Sequence, residues 1–562
     1  MPTGAGKSLT YQLPALMRDD LTLVVSPLVS LMADQVQALE RVAPGKAALL
    51  SGQQEAGEQA AVLARARAGD LRLLYIAPER FSSASFLALL KEIKVGMFVV
   101  DEAHCVSQWG HDFRPDYFRL GDAARWLGAP QMIAATATAT PKVARDVAER
   151  LGLRNPLVVA TGFDRPNIAF AVARCRTTAD KHARIAQVLS EPDATPAIVY
   201  AGTRKRCDEL AGRLEAQLGR KVISYHAGLA RDRRAEAQDR FMSGAVDIVV
   251  ATNAFGMGVD KADVRTVVHE TVPPSVEAFY QEAGRAGRDG KPARALLFAE
   301  PRDKGLHVYF IERSEVSPEL IDGAVQRMRW AAETNAGRID IDFNEIDEEP
   351  DRARSIAGHL VRAGVLRPAP AALDRFVGRF DKDYDAATRS LALASAREGQ
   401  QIRWQQYRSI WGFVEAGTCR RELLLSHFGD EREPAPTGPC CDVCHPGLVP
   451  EPLGSDARVR GANSQSSGRS LEDAIVSVVR TARPSIGRSK VADVLRGSRA
   501  KAVLRNSWDG LPEHGQFAHL ATADLLARID EMLEKGELTS SGGPYPVLSE
   551  GFVSGEQGVI AV

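Results

Sequence analysis

Residues 1 to about 305 alternate short β-branched, apolar runs with longer amphipathic stretches rich in Ala, Leu, Arg and Glu, and no other feature limits the fold as tightly. The runs lie at 21–26, 71–76, 98–100, 197–200 and 248–251. Strands buried on both faces read as continuous apolar runs, and the helices that cover them read as amphipathic, so the pattern predicts parallel sheets in an α/β fold. It occurs twice, broken near 162–167, which predicts two domains, 1–160 and 161–305. No run approaches the roughly 20 apolar residues of a bilayer-spanning helix. The N-terminus also lacks the basic start and apolar core of a signal peptide. Both point to a soluble protein of the cell interior, placed in the cytoplasm.

Beyond residue 303 the pattern becomes helical, and 306–400 forms a region of open role. It contains an acidic stretch, 340–351, with seven carboxylates, which reads as a solvated face. Residues 356–366 have the spacing of one helix of a small winged module. A Pro-, Gly- and Ser-rich linker at 447–468 separates this part from 469–550, which reads as helices followed by a hairpin at 538–548 with Gly542 and Gly543 at its turn. The formal charge of −1 gives no bulk signal for nucleic acid, yet 456–505 holds eleven Lys or Arg against four Asp or Glu. A local patch is enough for a nucleic-acid contact.

Thr3-Gly4-Ala5-Gly6-Lys7-Ser8 is the end of a phosphate-binding loop for ATP. Its glycines let backbone N–H groups approach phosphate, Lys7 reaches the β and γ oxygens, and Ser8 holds Mg²⁺. A second half supports it: an apolar strand at 97–100 ends in Asp101-Glu102-Ala103-His104. Asp101 then serves the magnesium through water and Glu102 polarises the attacking water. Further along, Tyr280-Gln281-Glu282-Ala283-Gly284-Arg285-Ala286-Gly287-Arg288 places two arginines three apart, expected on one face of a short helix. Guanidinium groups suit the charge that develops on a transferring phosphoryl group. Read alone, they are a surface pair.

Seven cysteines include Cys440, Cys441 and Cys444, close together and preceded by Cys419. Four thiolates suit tetrahedral Zn²⁺. His445 is the competing ligand to Cys440.

The stretch from Asp101 through Trp109, Phe113, Arg114 and Pro115 resembles the signature of the RecQ DNA helicases of helicase superfamily two. Matching motifs follow in Ser26-Pro27-Leu28, Thr136-Ala137-Thr138, Phe163-Asp164-Arg165-Pro166-Asn167, Tyr225-His226-Ala227-Gly228, Ala251-Thr252-Asn253 and the arginine motif. The resemblance implies two RecA-like domains, a helical and zinc-binding module at 401–446 and a winged-helix domain. It also implies ATP-driven 3′-to-5′ unwinding of DNA in recombination and repair, on single strands and duplex junctions. Lys7, Asp101, Glu102, Gln281, Arg285 and Arg288 are its catalytic residues. His104, Trp109, Phe113, Arg114, Arg496 and Tyr545 contact DNA or couple that contact to ATP. The rings of Trp109 and Phe113 either stack on bases or fill the core. Relatives carry a glutamine segment ahead of the phosphate loop, and the present sequence, starting on the loop, reads most economically as a piece of a longer one. A DNA-binding protein with an impaired ATPase is the competing reading.

Overall fold

A computed structural model describes residues 6–52, 54–82, 84–107, 117, 120–128, 131–256, 261–369, 374–450, 471–498, 500–518, 520, 522–541 and 546–551. The chain forms two compact units, 1–453 and 454–562.

In the first lobe of the larger unit, β1 (Leu21–Val25), β2 (Ala47–Leu50), β3 (Leu73–Ile76), β4 (Val95–Asp101) and β5 (Gln131–Ala135) form one sheet in the order β2-β3-β1-β4-β5. Every pairing is parallel. Each residue of β1 and β4 is buried, because these strands lie inside the sheet with helices on both faces. A fully buried side chain such as Phe98 contributes roughly 1.5–3 kcal/mol relative to exposure. Parallel strands deliver their C-terminal ends to one edge, so Ser26, Asp101 and Thr136 emerge together, where open α/β sheets bind ligands. β5 is less covered and borders a groove of about 1200 Å³ that Lys7 also lines. The helix Pro141–Leu151 forms another wall; it starts at Thr140, whose hydroxyl accepts from the Val143 N–H, and buries Val143, Val147 and Leu151.

The second lobe contains β6 (Ile168–Arg174), β7 (Ala197–Tyr200), β8 (Val222–Tyr225), β9 (Ile248–Ala251), β10 (Thr266–His269) and β11 (Ala293–Ala299), in the order β6-β11-β10-β7-β9-β8 and again parallel throughout. One face of this sheet is covered by Ile410, Trp411, Phe413 and Val414 of the helix Ala386–Glu415 and by Leu424 of the helix Arg420–His427. The cysteine-rich segment that follows is tied to the edge strand of this lobe: the Phe170 N–H donates to the Cys440 carbonyl at 3.1 Å.

Where the sequence pattern is helical, the structure adds a sheet. β12 (Ile339–Asp342), β13 (Leu366–Pro368) and β14 (Arg375–Phe380) pair antiparallel in the order β12-β14-β13. With the helices Pro318–Glu333, Phe343–Ile346 and Pro350–Arg362 they make a winged-helix arrangement around a core of their own. Short strands of three to six residues between helices leave little period-two signal. The third helix, which a winged module ordinarily lays against DNA, is covered by the 386–415 helix. His359 Nδ1 meets Ser395 Oγ at 2.9 Å, and Arg362 pairs with Glu398 at 2.9 Å.

The smaller unit packs the helices Leu471–Thr481, Arg488–Leu495 and Thr522–Glu534 around Ile475, Val478, Val491, Leu525 and Ile529. It ends in an antiparallel pair, β15 (Leu538–Ser540) and β16 (Leu548–Glu550).

Candidate active site and zinc centre

Lys7 stands just before Ser8, the N-cap of the helix Leu9–Leu16, and Asp101 closes β4, so the fold brings them together across 94 residues of sequence. Lys7 Nζ lies 2.8 Å from Glu102 Oε1 and 3.1 Å from Asp101 Oδ1. The other Glu102 oxygen lies 3.3 Å from His104 Nδ1, which also meets Thr136 Oγ1 at 2.9 Å. A continuous polar path thus runs from the phosphate loop, through the acidic strand end, to the threonine following β5. Burial pushes the Glu102 carboxyl up, but the Lys7 charge and the His104 ring outweigh it and hold the carboxyl below the usual carboxylate range. Burial likewise opposes the Lys7 charge, and the two carboxylates more than compensate. Glu102 has φ +47°, a left-handed conformation that costs a non-glycine residue roughly 1–3 kcal/mol and is characteristic of functional sites. Its flanking contacts hold it there.

In the second lobe the helix Val276–Ala283 starts at Ser275, whose hydroxyl accepts from the Ala278 N–H, and carries Gln281. It stops at Gly284, so Arg285 and Arg288 do not share a helix face as their spacing suggests; they lie in the turns that follow. The cause is visible in the backbone: Gly287 takes φ +53°, and the carbonyls of Gly284, Ala286 and Gly287 turn toward Arg165. Arg285 is buried beside Tyr200, whose hydroxyl donates to the Phe255 carbonyl at 2.9 Å.

The Sγ atoms of Cys419, Cys440, Cys441 and Cys444 all lie within 4.8 Å of one another. Tetrahedral zinc with bonds of about 2.3 Å requires sulfurs about 3.8 Å apart. Cys419 is 3.6 Å from Cys440 and 3.9 Å from Cys441, so the donors fit that ion. The adjacent pair Cys440-Cys441 does aim both sulfurs at one centre. His445 stands behind the ligands: its Nδ1 accepts from the Cys440 N–H at 3.2 Å. Among the described residues no other group of three or more His, Cys, Asp or Glu side chains suits a metal.

Four family models match the chain: DEAD/DEAH box helicase at 1–147, helicase conserved C-terminal domain at 180–290, RecQ zinc-binding at 381–445 and RQC domain at 469–551. The probable ATP-dependent DNA helicase RecS of Bacillus subtilis (strain 168) is 36% identical over 445 residues, spanning 79% of this chain and 85% of the relative. The chain belongs to the RecQ family. The ATP-dependent DNA helicase RecQ of the same organism is 32% identical over 555 residues, 99% of this chain and 76% of the relative. The RecQ of Pasteurella multocida (strain Pm70) is 43% identical over 321 residues, 57% of this chain and 50% of that protein. The 318–380 winged module falls between the stretches matched by the second and third models.

Within this RecQ framework the structure brings Lys7, Ser8, Asp101 and Glu102 to one place and the four cysteines to another. Thr3, Gly4, Ala5, Trp109, Phe113, Arg114 and Tyr545 lie outside the described residues. His104 is fully buried between Glu102 and Thr136. Arg496 follows the helix Arg488–Leu495, is exposed, and donates to Thr522 Oγ1 at 2.6 Å. The basic excess at 456–505 is partly spent inside its own unit: Arg480 pairs with Glu550, Arg488 with Asp530, and Lys490 with Asp493. No membrane-spanning helix occurs among the described residues.

Sequence reading gave no role to three residues that organise the second lobe. Arg165 and Asn167 sit in a quoted motif, and Arg421 stands two places after a zinc ligand. Their neighbours lie more than 100 residues away in sequence, so no local pattern marks them.

Proposed function

We propose that this chain is an ATP-dependent helicase that separates DNA strands in the 3′-to-5′ direction during recombination and repair. The observation that carries this reading is the contact path Lys7–Glu102–His104–Thr136, with Asp101 beside it. A cation held by two carboxylates at a phosphate loop can change partners. When ATP arrives, its β and γ phosphates take Lys7, and Glu102 is left ionised next to the γ-phosphate, where it accepts a hydrogen bond from water and aligns it for attack.

Ser8 and Asp101 offer a hydroxyl and a carboxylate, the hard oxygen donors that Mg²⁺ takes. Bound there, the ion would offset the charge on the β and γ oxygens. Arg285 and Arg288, with Gln281 beside them, reach the transferring phosphoryl group from the second lobe, so that ATP draws the lobes together and hydrolysis releases them. His104 carries the state of Glu102 to Thr136 and Thr138. Trp109, Phe113 and Arg114 sense single-stranded DNA a few residues from Glu102, by stacking and a charge contact. Arg496 and Tyr545 serve the duplex junction. Such an enzyme works in the cytoplasm, at the nucleoid.

ATP hydrolysis measured with and without single-stranded DNA tests the reading. It predicts several-fold stimulation by DNA and none in Lys7→Ala. Hydrolysis indifferent to DNA would sink the coupling role, and undiminished hydrolysis in Lys7→Ala would sink the site.

A further inference from the structure

The segment Phe163-Asp164-Arg165-Pro166-Asn167 is a strap with the arginine motif on one side and the zinc module on the other. Toward the motif, Arg165 is buried and donates to three carbonyls: Gly284 at 2.9 Å, Ala286 at 2.8 Å and Gly287 at 3.2 Å. Asn167 Nδ2 adds bonds to the carbonyls of Gly287 at 2.7 Å and Lys291 at 2.8 Å. The Gly284 carbonyl belongs to the peptide plane that leads into Arg285, the Ala286 and Gly287 carbonyls to the two planes that lead into Arg288, and the Lys291 carbonyl closes the turn behind them. Fixing the planes fixes the direction in which both side chains leave the backbone.

Toward the zinc module, Arg421 is fully buried. It donates to Asp164, to the Arg165 carbonyl at 2.8 Å and to the Ile168 carbonyl, with its guanidinium over the Phe170 ring. The second Asp164 oxygen accepts from the Ala435 N–H at 3.1 Å, and the Phe163 N–H donates to Asp430 at 2.7 Å. Phe163 stacks on Phe428 with ring centres 4.5 Å apart.

We propose that Arg165 is a positioning residue for the arginine motif, and that Arg421 of the zinc module holds it in register. The proposal rests on the reading that Arg285 and Arg288 act on the transferring phosphoryl group. A rigid planar fork can serve several carbonyls at once, whereas a lysine is a single flexible point charge. Arg165→Lys therefore keeps the charge and loses the geometry. A misplacement of about 1 Å at a reacting group costs on the order of 100-fold in rate.

The test compares Arg165→Lys, Arg421→Lys and Arg288→Ala in steady-state ATP hydrolysis, with nucleotide binding and zinc content measured on the same preparations. Arg165→Lys and Arg421→Lys are expected to lower kcat by roughly 10- to 100-fold. KM for ATP should stay within about twofold and zinc unchanged, since a group that acts on transition-state contacts changes rate more than ground-state binding. Arg165→Lys combined with Arg288→Ala should lose less than the product of the two single losses, since part of the Arg165→Lys loss acts through Arg288 and the rest through Arg285. If Arg288→Ala leaves kcat intact, the phosphoryl role of the motif is wrong. If Arg288→Ala lowers kcat while Arg165→Lys does not, or if the two losses multiply, the positioning role is wrong. Should Arg165→Lys fail to fold, Asn167→Ala takes its place: a lowered kcat at constant KM supports the strap, and an unchanged kcat overturns it.

Discussion

The two lobes share a fold and treat buried charge in opposite ways. In the first lobe, Lys7, Asp101 and Glu102 pair with one another at the open end of the sheet, each slightly accessible, beside a groove. In the second, Lys181 is fully buried, donates to the Glu270 carbonyl at 2.7 Å, and pairs with Asp303 at 3.0 Å and Glu300 at 3.5 Å. Arg165 and Arg421 are likewise committed to main-chain carbonyls. A pair that must exchange partners for a phosphate cannot be sealed, and a pair that holds two strands and two helices in place must be. One lobe leaves its charges at an open sheet end; the other commits them to holding its own strands, helices and turns together.

Substitutions can break that contrast. The largest effect is expected in Glu102→Gln, which should lose roughly 10²- to 10⁴-fold in turnover while still binding nucleotide, because only the water-aligning carboxylate is removed. Near-normal hydrolysis would mean that another group aligns the water. In the second lobe Lys181→Met should instead destabilise the fold by about 3–5 kcal/mol, because buried Asp303 loses its near cation at 3.0 Å and keeps the partly exposed Arg206 at 3.9 Å. Denaturant unfolding reads this directly. Lys7→Ala should cost well under half of that, and equal losses for the two lysines would erase the distinction. Cys440→Ser should lose zinc and loosen the second lobe, since a structural ion contributes to folding. His445→Ala should retain zinc, and metal analysis giving the reverse order would exchange the fourth ligand.

The smallest effect concerns the winged module at 318–380. His359 lies between two helices, bonded to Ser355 and Ser395, and burial, aided by Arg403 and Arg362, pushes it down to about 4 from 6.5. The unfolded chain therefore takes up the proton first as pH falls. Stability that is fully present above pH 6.5 drains away toward pH 4, at no more than about 1.4 kcal/mol per pH unit. Unfolding midpoints compared at pH 7 and pH 5 should differ, and His359→Gln should flatten the difference. An unchanged slope in that variant would assign the pH dependence elsewhere.

What was legible in the sequence follows the same division. The phosphate loop and the acidic strand end are contiguous motifs whose chemistry is carried by neighbouring residues, and the apolar runs that place them became β1, β3, β4, β7 and β9 within a few residues. The zinc ligands were legible because thiolates are scarce and clustered. The geometry of the arginine motif was not. Its spacing fits a helix, and the actual turns depend on carbonyls drawn toward Arg165, about 120 residues earlier. The winged module was masked for a different reason: its strands are too short for a period, and its third helix buries two faces, one of them against a helix that follows in the chain.

In the proposed function, phosphate-site chemistry drives strand separation with a defined polarity. Displacement of one strand from duplexes with either a 3′ or a 5′ single-stranded tail, with ATP present, tests it most directly. Release is expected from the 3′-tailed duplex, little from the 5′-tailed one, and none from either with Glu102→Gln. Displacement that prefers the 5′ tail, or that persists in Glu102→Gln, would contradict it.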